Sequence, residues 1–310
     1  MAQPPDMSVD LAGVKLDRPI VLASGTCGYI DEFDRVVPWS AVGAVTTKSI
    51  TRESRDGNPP WRIIGGRDGM LNAIGLANAG VERFIADHLP RAERIDPLVI
   101  GSIAGGSVED YVAVAERFEK SGLLRIVELN VSCPNTSDGL HFGQHPDLLR
   151  DLVAAVRRPL ESTKLLVKLS PDVGDIVEMA RAAVDAGADG LTLINTVSAL
   201  AIDVETRQPR LSRGAGGLSG PSIHPLAVRM VHDVYEAVAR DASVPIIGLG
   251  GVLNWRDAAE FILAGASAVG MGTALFVDPR SPRRVLRGLS RWVERQGMSS
   301  LRDLVGRVEM

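Results

Sequence analysis

This sequence predicts an α/β chain folded as one closed (β/α)8 barrel of the TIM type, a single domain over residues 1–310, and three observations carry that expectation. Short apolar runs with β character recur along the chain. Most are separated by segments with helical periodicity, and no linker rich in Pro, Gly or Ser divides the chain into halves.

In order, the runs are Ile20–Ala23, Ala44–Lys48, Leu98–Ser102 and Ile126–Asn130, then Leu165–Leu169, Gly190–Asn195, Pro245–Gly248 and Ala268–Met271. Between them, Leu149, Leu152, Val153 and Val156 form one apolar helical stripe, and Ile176, Met179, Ala180, Ala183 and Val184 form another. Alternation of this kind means parallel strands with helices outside. Asp185–Asp189 and Leu263–Ser267 both read as helix endings, with a glycine able to take positive φ before the next strand. The competing architecture is an open doubly wound sheet. Its dinucleotide turn is missing, because neither Gly248-Leu249-Gly250-Gly251 nor Gly214-Ala215-Gly216-Gly217 completes G-x-G-x-x-G.

Composition narrows the function classes. Apolar residues at 45% and charged residues at 23% suit a folded core, and a net charge of −4 speaks against a nucleic-acid surface. No stretch of about 18 apolar residues occurs, so no membrane span is expected, and Met1–Asp6 has neither a basic start nor an apolar leader core. Cys27 and Cys133 alone make no disulfide framework, which fits a cytoplasmic protein.

In such a barrel, chemistry gathers where strands end. Those ends are polar: Ala23 and Ser24 after the first run, Lys48 and Ser49 after the second, Ser102 after the third, Asn130 and Cys133 after the fourth. Lys168 comes in the fifth, Ile194, Asn195 and Thr196 in the sixth, Gly250 and Gly251 in the seventh, Gly272 and Thr273 in the eighth. The fourth end, Glu128-Leu129-Asn130-Val131-Ser132-Cys133-Pro134-Asn135, holds a thiol at a strand exit, since Pro134 has no amide hydrogen for a ladder. Asn130 and Asn135 flank it with carboxamides able to read a planar polar ring. Taken alone, this stretch reads as a packed structural cysteine beside ordinary turn residues ahead of a reactive one.

Lys48 and Lys168 either carry their charge to water or stabilise negative charge developing on a bound ring. Gly217-Leu218-Ser219-Gly220, Gly250-Gly251 and Gly272-Thr273 leave backbone amides bare for a phosphate, in the loops where barrels bind one. Gly69–Leu76 lies in a long connection, where Asn72 and Gly75 serve a ligand or the loop is simply a cover. Thr51–Asn58 reads as a solvated face, and Ser137–Gln144 as a lid over Cys133. His141 and His145 lack the companions of a zinc site, so no metal is expected. His88, His224 and His232 carry no site signal, and Cys27 reads as a small packed residue.

Together these motifs resemble class 1 dihydroorotate dehydrogenase over nearly the whole chain, closest to the NAD-linked branch and its catalytic FMN subunit. The carriers are N-x-S-C-P-N at Asn130–Asn135, L-N-A-I-G-L at Leu71–Leu76, V-K-L-S-P at Val167–Pro171 and I-N-T at Ile194–Thr196. G-G-L-S-G-P at Gly216–Pro221 and the terminal G-x-G-G and G-T pairs complete the set. The resemblance implies an FMN barrel with βα-loop insertions near 49–80 and 132–145. It would oxidise (S)-dihydroorotate to orotate in de novo pyrimidine (UMP) biosynthesis.

Within that resemblance Cys133 is the base and Lys48 touches both flavin and substrate. Asn72, Ala73, Ile74, Gly75 and Leu76, with Asn130, Asn135, Asn195 and Thr196, hold the pyrimidine. Ala23, Ser24, Lys48, Ser49, Ser102, Asn130, Lys168 and Ile194 face the flavin, while Gly220, Gly250, Gly251, Gly272 and Thr273 wrap ribityl and phosphate. The chain would work as a homodimer, or as a heterotetramer with a subunit carrying FAD and a 2Fe-2S cluster that passes electrons to NAD. Ser102 and the Gly101–Gly105 stretch look instead like the branch that reduces fumarate as a stand-alone homodimer, and Thr26–Tyr29 also departs from the common pattern. Another FMN pyrimidine oxidoreductase is a third reading, and a phosphate-binding barrel that holds a ligand without turning it over is a fourth.

Overall fold

A computed structural model describes residues 4–66, 69–132 and 142–309. The chain starts with an antiparallel hairpin, β1 (Val9–Leu11) and β2 (Val14–Leu16), whose buried Val9, Leu11, Val14 and Leu16 alternate with exposed Asp10 and Lys15. Leu16 reaches Gly43, where an added Cβ would lie 2.0 Å from the carbonyl oxygen of Arg18. This places the hairpin against the start of the second barrel strand.

The barrel consists of β3 (Ile20–Leu22), β4 (Ala44–Thr46), β7 (Leu98–Ile103), β8 (Ile126–Asn130), β9 (Lys164–Lys168), β10 (Gly190–Leu193), β15 (Ile246–Leu249) and β16 (Ala268–Met271), all parallel and closed by β16 on β3. Each coincides with an apolar run read from the sequence, shifted by a residue or two at the ends, where hydrogen bonding frays. The fit is tight because these strands are covered on both sides and carry near-continuous apolar sequence.

Two connections grow strands of their own. The segment between β4 and β7 forms β5 (Ile63–Gly65) and β6 (Met70–Asn72); the one between β10 and β15 forms β11 (Val197–Ala199), β12 (Ile202–Asp203), β13 (Gln208–Pro209) and β14 (Gly216–Ser219). Strands β11, β14, β6 and β5 pair into an antiparallel sheet, with Asn72 opposite Gly217 and Met70 opposite Ser219. Here the structure corrects two expectations. Gly217–Ser219 is strand rather than bare glycine loop: a Cβ on Gly217 would meet Thr196 Oγ1 at 2.0 Å, so glycine is needed for packing. Thr51–Asn58 is not wholly solvated either. Thr51 is buried, and Arg55 exchanges backbone hydrogen bonds with Asn78 at 2.9 Å each way.

On the outside run α1 (Val81–Arg83), α2 (Val108–Ser121), α3 (Pro146–Arg157), α4 (Ile176–Asp185), α5 (His224–Val234), α6 (Arg240–Ala242), α7 (Trp255–Leu263), α8 (Ala274–Val277) and α9 (Ser281–Arg295). Asp175 caps α4 by accepting from Val177 N at 2.8 Å, and Asn254 and Asp257 form a reciprocal capping box on α7. Gly187 and Gly265 close α4 and α7 at φ +100° and +114°, as their Ala-Gly-Ala contexts predict. Among the described residues no helix is long and apolar enough to cross a membrane.

Candidate active site

A cavity of about 430 Å³ opens between the C-terminal ends of the barrel strands and the four-stranded sheet above them. Most strand ends singled out from the sequence meet here: Ala23, Ser24, Lys48, Ser49, Asn130, Lys168, Ile194, Asn195 and Thr196. The sheet adds Asn72, with Ile74 and Leu76 beside it; Gly220, Gly250, Gly251, Gly272 and Thr273 form another wall. Ala73, Gly75 and Ser102 stand behind the lining. Ala73 O accepts from Asn58 Nδ2, Gly75 packs on Asn58, and buried Ser102 Oγ lies 2.8 Å from Ser49 Oγ. Cys133 and Asn135, with most of the expected lid, lie outside the described residues.

The floor is a hydrogen-bonded belt. Ser49 Oγ lies 3.2 Å from Ser24 Oγ and accepts from Asn130 Nδ2 at 3.1 Å. Asn130 Oδ1 in turn accepts from Asn195 Nδ2 at 3.1 Å and from Ser132 N at 3.3 Å, while Asn195 Oδ1 accepts from Thr196 N at 2.9 Å. Tyr111 Oη donates to the carbonyl of Asn130 from behind. These bonds fix which way each carboxamide faces. Among the described residues, Asn130 and Asn195 each have one side-chain N–H without a partner, left to offer a ligand. Asn72 donates to Gly217 O at 3.2 Å, so its side-chain oxygen remains an acceptor. The site thus presents amide donors on the floor and an amide acceptor on the roof.

Among the described residues, neither lysine ammonium has a hydrogen-bond or ion-pair partner, although Lys168 is only 5% exposed. Burial, with Arg62 nearby, holds Lys48 below the usual lysine range. A half-desolvated cation of this kind favours an anionic ligand. Cys27 is the opposite case: fully buried, its thiol is pushed up to about 12, mainly by burial and then by Glu32, so it stays protonated and unreactive.

The glycine wall divides by cause. Gly250 and Gly251 are demanded by packing, since a Cβ would meet Ala227 Cβ at 2.6 Å and Gly220 O at 2.7 Å respectively. At Gly272 a Cβ would make only ordinary van der Waals contact, with Ala23 Cβ at 3.6 Å and Thr26 Cγ2 at 3.7 Å, so packing does not demand glycine there. Backbone without a side chain on the cavity wall suits a phosphate-bearing cofactor. Lys168 and the floor amides suit the polar edge of a flavin, so the residues present fit FMN.

Among the contributors that escape the sequence reading, three stand out. Arg62 lines the cavity and donates to the carbonyls of Asp56 and Asn58 at 3.2 and 3.1 Å, bracing the loop under Gly57 and Gly75. Phe276 lines the wall beside Thr273 while half exposed. His224 Nδ1 lies 2.7 Å from Gly250 O, with Nε2 3.3 Å from Glu260 Oε2 and out of line for a hydrogen bond, so it holds the Gly250 turn. Only the G-P-S-I-H context of His224, next to a glycine already singled out, is a usable signal.

Fold and cavity suit a barrel that holds a phosphate-bearing ring cofactor next to a small anion. Residues 6–293 match the dihydroorotate dehydrogenase family model, and the chain belongs to that family. It is 46% identical to a protein of Pelobacter propionicus named dihydroorotate dehydrogenase B (NAD(+)), catalytic subunit, over 98% of this chain and 99% of that one. Identity is 45% to a Solibacter usitatus protein named putative dihydroorotate dehydrogenase A (fumarate), over 97% and 98%. The crystal structure of the Eimeria tenella enzyme with ferulenol superposes with a TM-score of 0.81 at 25% identity, covering 97% of this chain and 88% of that one.

Proposed function

We propose that this protein oxidises (S)-dihydroorotate to orotate in pyrimidine biosynthesis, with FMN as its own cofactor and the electrons passed to NAD through a partner subunit carrying FAD and a 2Fe-2S cluster. The carrying observation is the oriented carboxamide set of Asn72, Asn130 and Asn195, next to two lysine ammonium groups that have no partner among the described residues and a wall glycine, Gly272, that packing does not demand. When bound, FMN supplies the hydride acceptor.

The chain's own residues do the rest. Cys133, as thiolate, removes the C5 proton; a free thiol titrates near pH 8.5, so this step speeds up with rising pH. Lys48 and the floor amides of Asn130 and Asn195 face substrate oxygens, and Asn72 accepts from a ring N–H. Ile74 and Leu76, with Gly75 behind them, enclose the substrate under the sheet and exclude water. Asn135 joins the pyrimidine set, Thr196 holds Asn195 in its orientation, and Lys168 meets the polar edge of the flavin. Its ribityl and phosphate groups lie along Gly220, Gly250, Gly251, Gly272 and Thr273. The working assembly is a cytoplasmic homodimer joined by that partner subunit.

Anaerobic mixing with dihydroorotate tests this. The wild-type flavin bleaches, while Cys133→Ala retains FMN and bleaches about 10² to 10⁴ times more slowly. Full-rate bleaching in the variant would remove Cys133 from the mechanism, and no bleaching in the wild type would remove the substrate. The Solibacter relative's name and Ser102 behind the flavin-side serines favour fumarate as a second reading of the acceptor. Turnover by the purified chain alone with fumarate, and none with NAD, would select it.

A further inference from the structure

An acidic chain concentrates positive charge on one helix. Along α9, Arg284, Arg287, Arg291 and Arg295 stand at i, i+3, i+7 and i+11, which sets them in one row. With Trp255 and Gly288 they line a groove of about 280 Å³ between α9 and the start of α7. Arg256 adds a further guanidinium: its Cζ lies 4.6 Å from the centre of the Trp255 ring, and that of Arg295 lies 5.1 Å away.

Glu294 is the acid that α9 places beside the row, and it forms no ion pair with it among the described residues. Arg284 pairs with Asp278, but the side chains of Arg256, Arg287, Arg291 and Arg295 make no ion pair or hydrogen bond among the described residues. The acids nearest in sequence on α7 are engaged elsewhere. Asp257 accepts from Leu253 N and Asn254 N at 2.7 and 2.9 Å, and Glu260 faces His224. Like charges one helical turn apart repel, so the row is destabilising unless an anion joins it. Gly288 gives the row its shape: a Cβ there would lie 2.4 Å from Trp255 Cδ1, so the indole rests directly on the helix backbone.

We infer that this groove binds a di- or triphosphate group, free or carried by a nucleotide. Guanidinium forks match phosphate oxygens bidentately, and a row with one fork per turn suits a chain of phosphates. An acidic protein fits less well, because the groove has no free apolar anchor: arginines already engage the Trp255 ring. The groove is separate from the cavity between barrel and sheet, and the inference does not rest on the reaction proposed there.

Calorimetric titration of the flavin-loaded protein with inorganic triphosphate, and in parallel with UTP, tests it at physiological ionic strength. Saturable one-to-one binding is expected, weakened at least about tenfold in Arg287→Glu/Arg291→Glu while melting temperature and flavin spectrum stay as in the wild type. Gly288→Leu, which displaces the indole and keeps every charge, loses binding as well. Equal affinity for the two probes assigns recognition to the phosphate chain, and tighter UTP binding assigns it to a nucleotide. Absence of saturable binding by both, or binding undiminished by the charge reversal, overturns the inference. So does saturable binding of poly-glutamate in place of triphosphate, which would make the groove a docking face for an acidic protein.

Discussion

The floor and the roof of the cavity are built on opposite plans. Floor residues sit at the ends of strands whose apolar sequence fixes them, and their carboxamides are locked side chain to side chain from Ser24 to Asn195, which also accepts from the backbone N–H of Thr196. The roof is a sheet of short strands drawn from two separate connections, joined where β6 meets β14 across 145 residues of chain. Rigidity below comes from the barrel; above, it comes from a pairing that neither connection can make alone. The floor is therefore suited to holding donor directions constant and the roof to closing over what is held.

Substitutions can separate the two plans. The largest effect is expected at the hub of the floor: Asn130→Ala leaves Ser49, Asn195 and Ser132 without their shared partner. It should lower kcat/KM for dihydroorotate about a hundredfold or more and cost about 1–3 kcal/mol of stability. If stopped-flow and thermal melts show only a KM change, the belt does not set donor directions.

Next comes the joint of the roof. Gly217→Val forces a side chain onto Thr196 and should cost about 1–3 kcal/mol by overpacking, raising KM more than it lowers the rate of flavin reduction. An equal loss in both would mean that the roof also sets the geometry of the reacting groups.

A thiol comparison is milder still. Iodoacetamide at pH 8 should label Cys133 and leave Cys27, whose thiol titrates about pH 12, unmodified in the folded protein. Peptide mapping that finds Cys27 alkylated would show the barrel opening near its first strand.

The smallest effect concerns Arg62. Burial first, and then this guanidinium, depress Lys48, so the unfolded chain binds a proton there that the folded chain releases. The resulting penalty is fully present below the folded pKa and fades as pH rises toward the unfolded value. Arg62→Gln should therefore move the alkaline limb of the rate profile to higher pH and flatten the stability gain in that range. A profile that does not move would take Arg62 out of the electrostatics of Lys48.

The same contrast sets how much of the molecule is legible in its sequence. Ile126–Asn130 or Ala268–Met271 can be read directly, because strands buried on both faces are written as unbroken apolar runs, and the residues closing each run stand at a strand end. Lys48, Asn130, Lys168 and Asn195 come with them. Met70–Asn72 and Gly216–Ser219 cannot be read as strands: each is short, only partly buried, and stabilised by a partner far away in sequence. Arg62 looks like one more charge in a polar loop, since nothing local shows that its guanidinium turns inward to bind Asp56 and Asn58 carbonyls. His224 warns only through its place four residues after Gly220, because a histidine opening a helix is otherwise ordinary until Gly250 is seen 2.7 Å away.

One consequence of the β6–β14 joint concerns traffic. Asn72 is both the last residue of β6 and the partner of Gly217 in that joint, and it also lines the cavity. Any loosening that widens the mouth therefore withdraws Asn72 at the same moment, so the hinge and the reader of the ligand are one residue. Ligand departure and loss of recognition become a single event, which hydrogen exchange at the Asn72 and Gly217 amides would time directly.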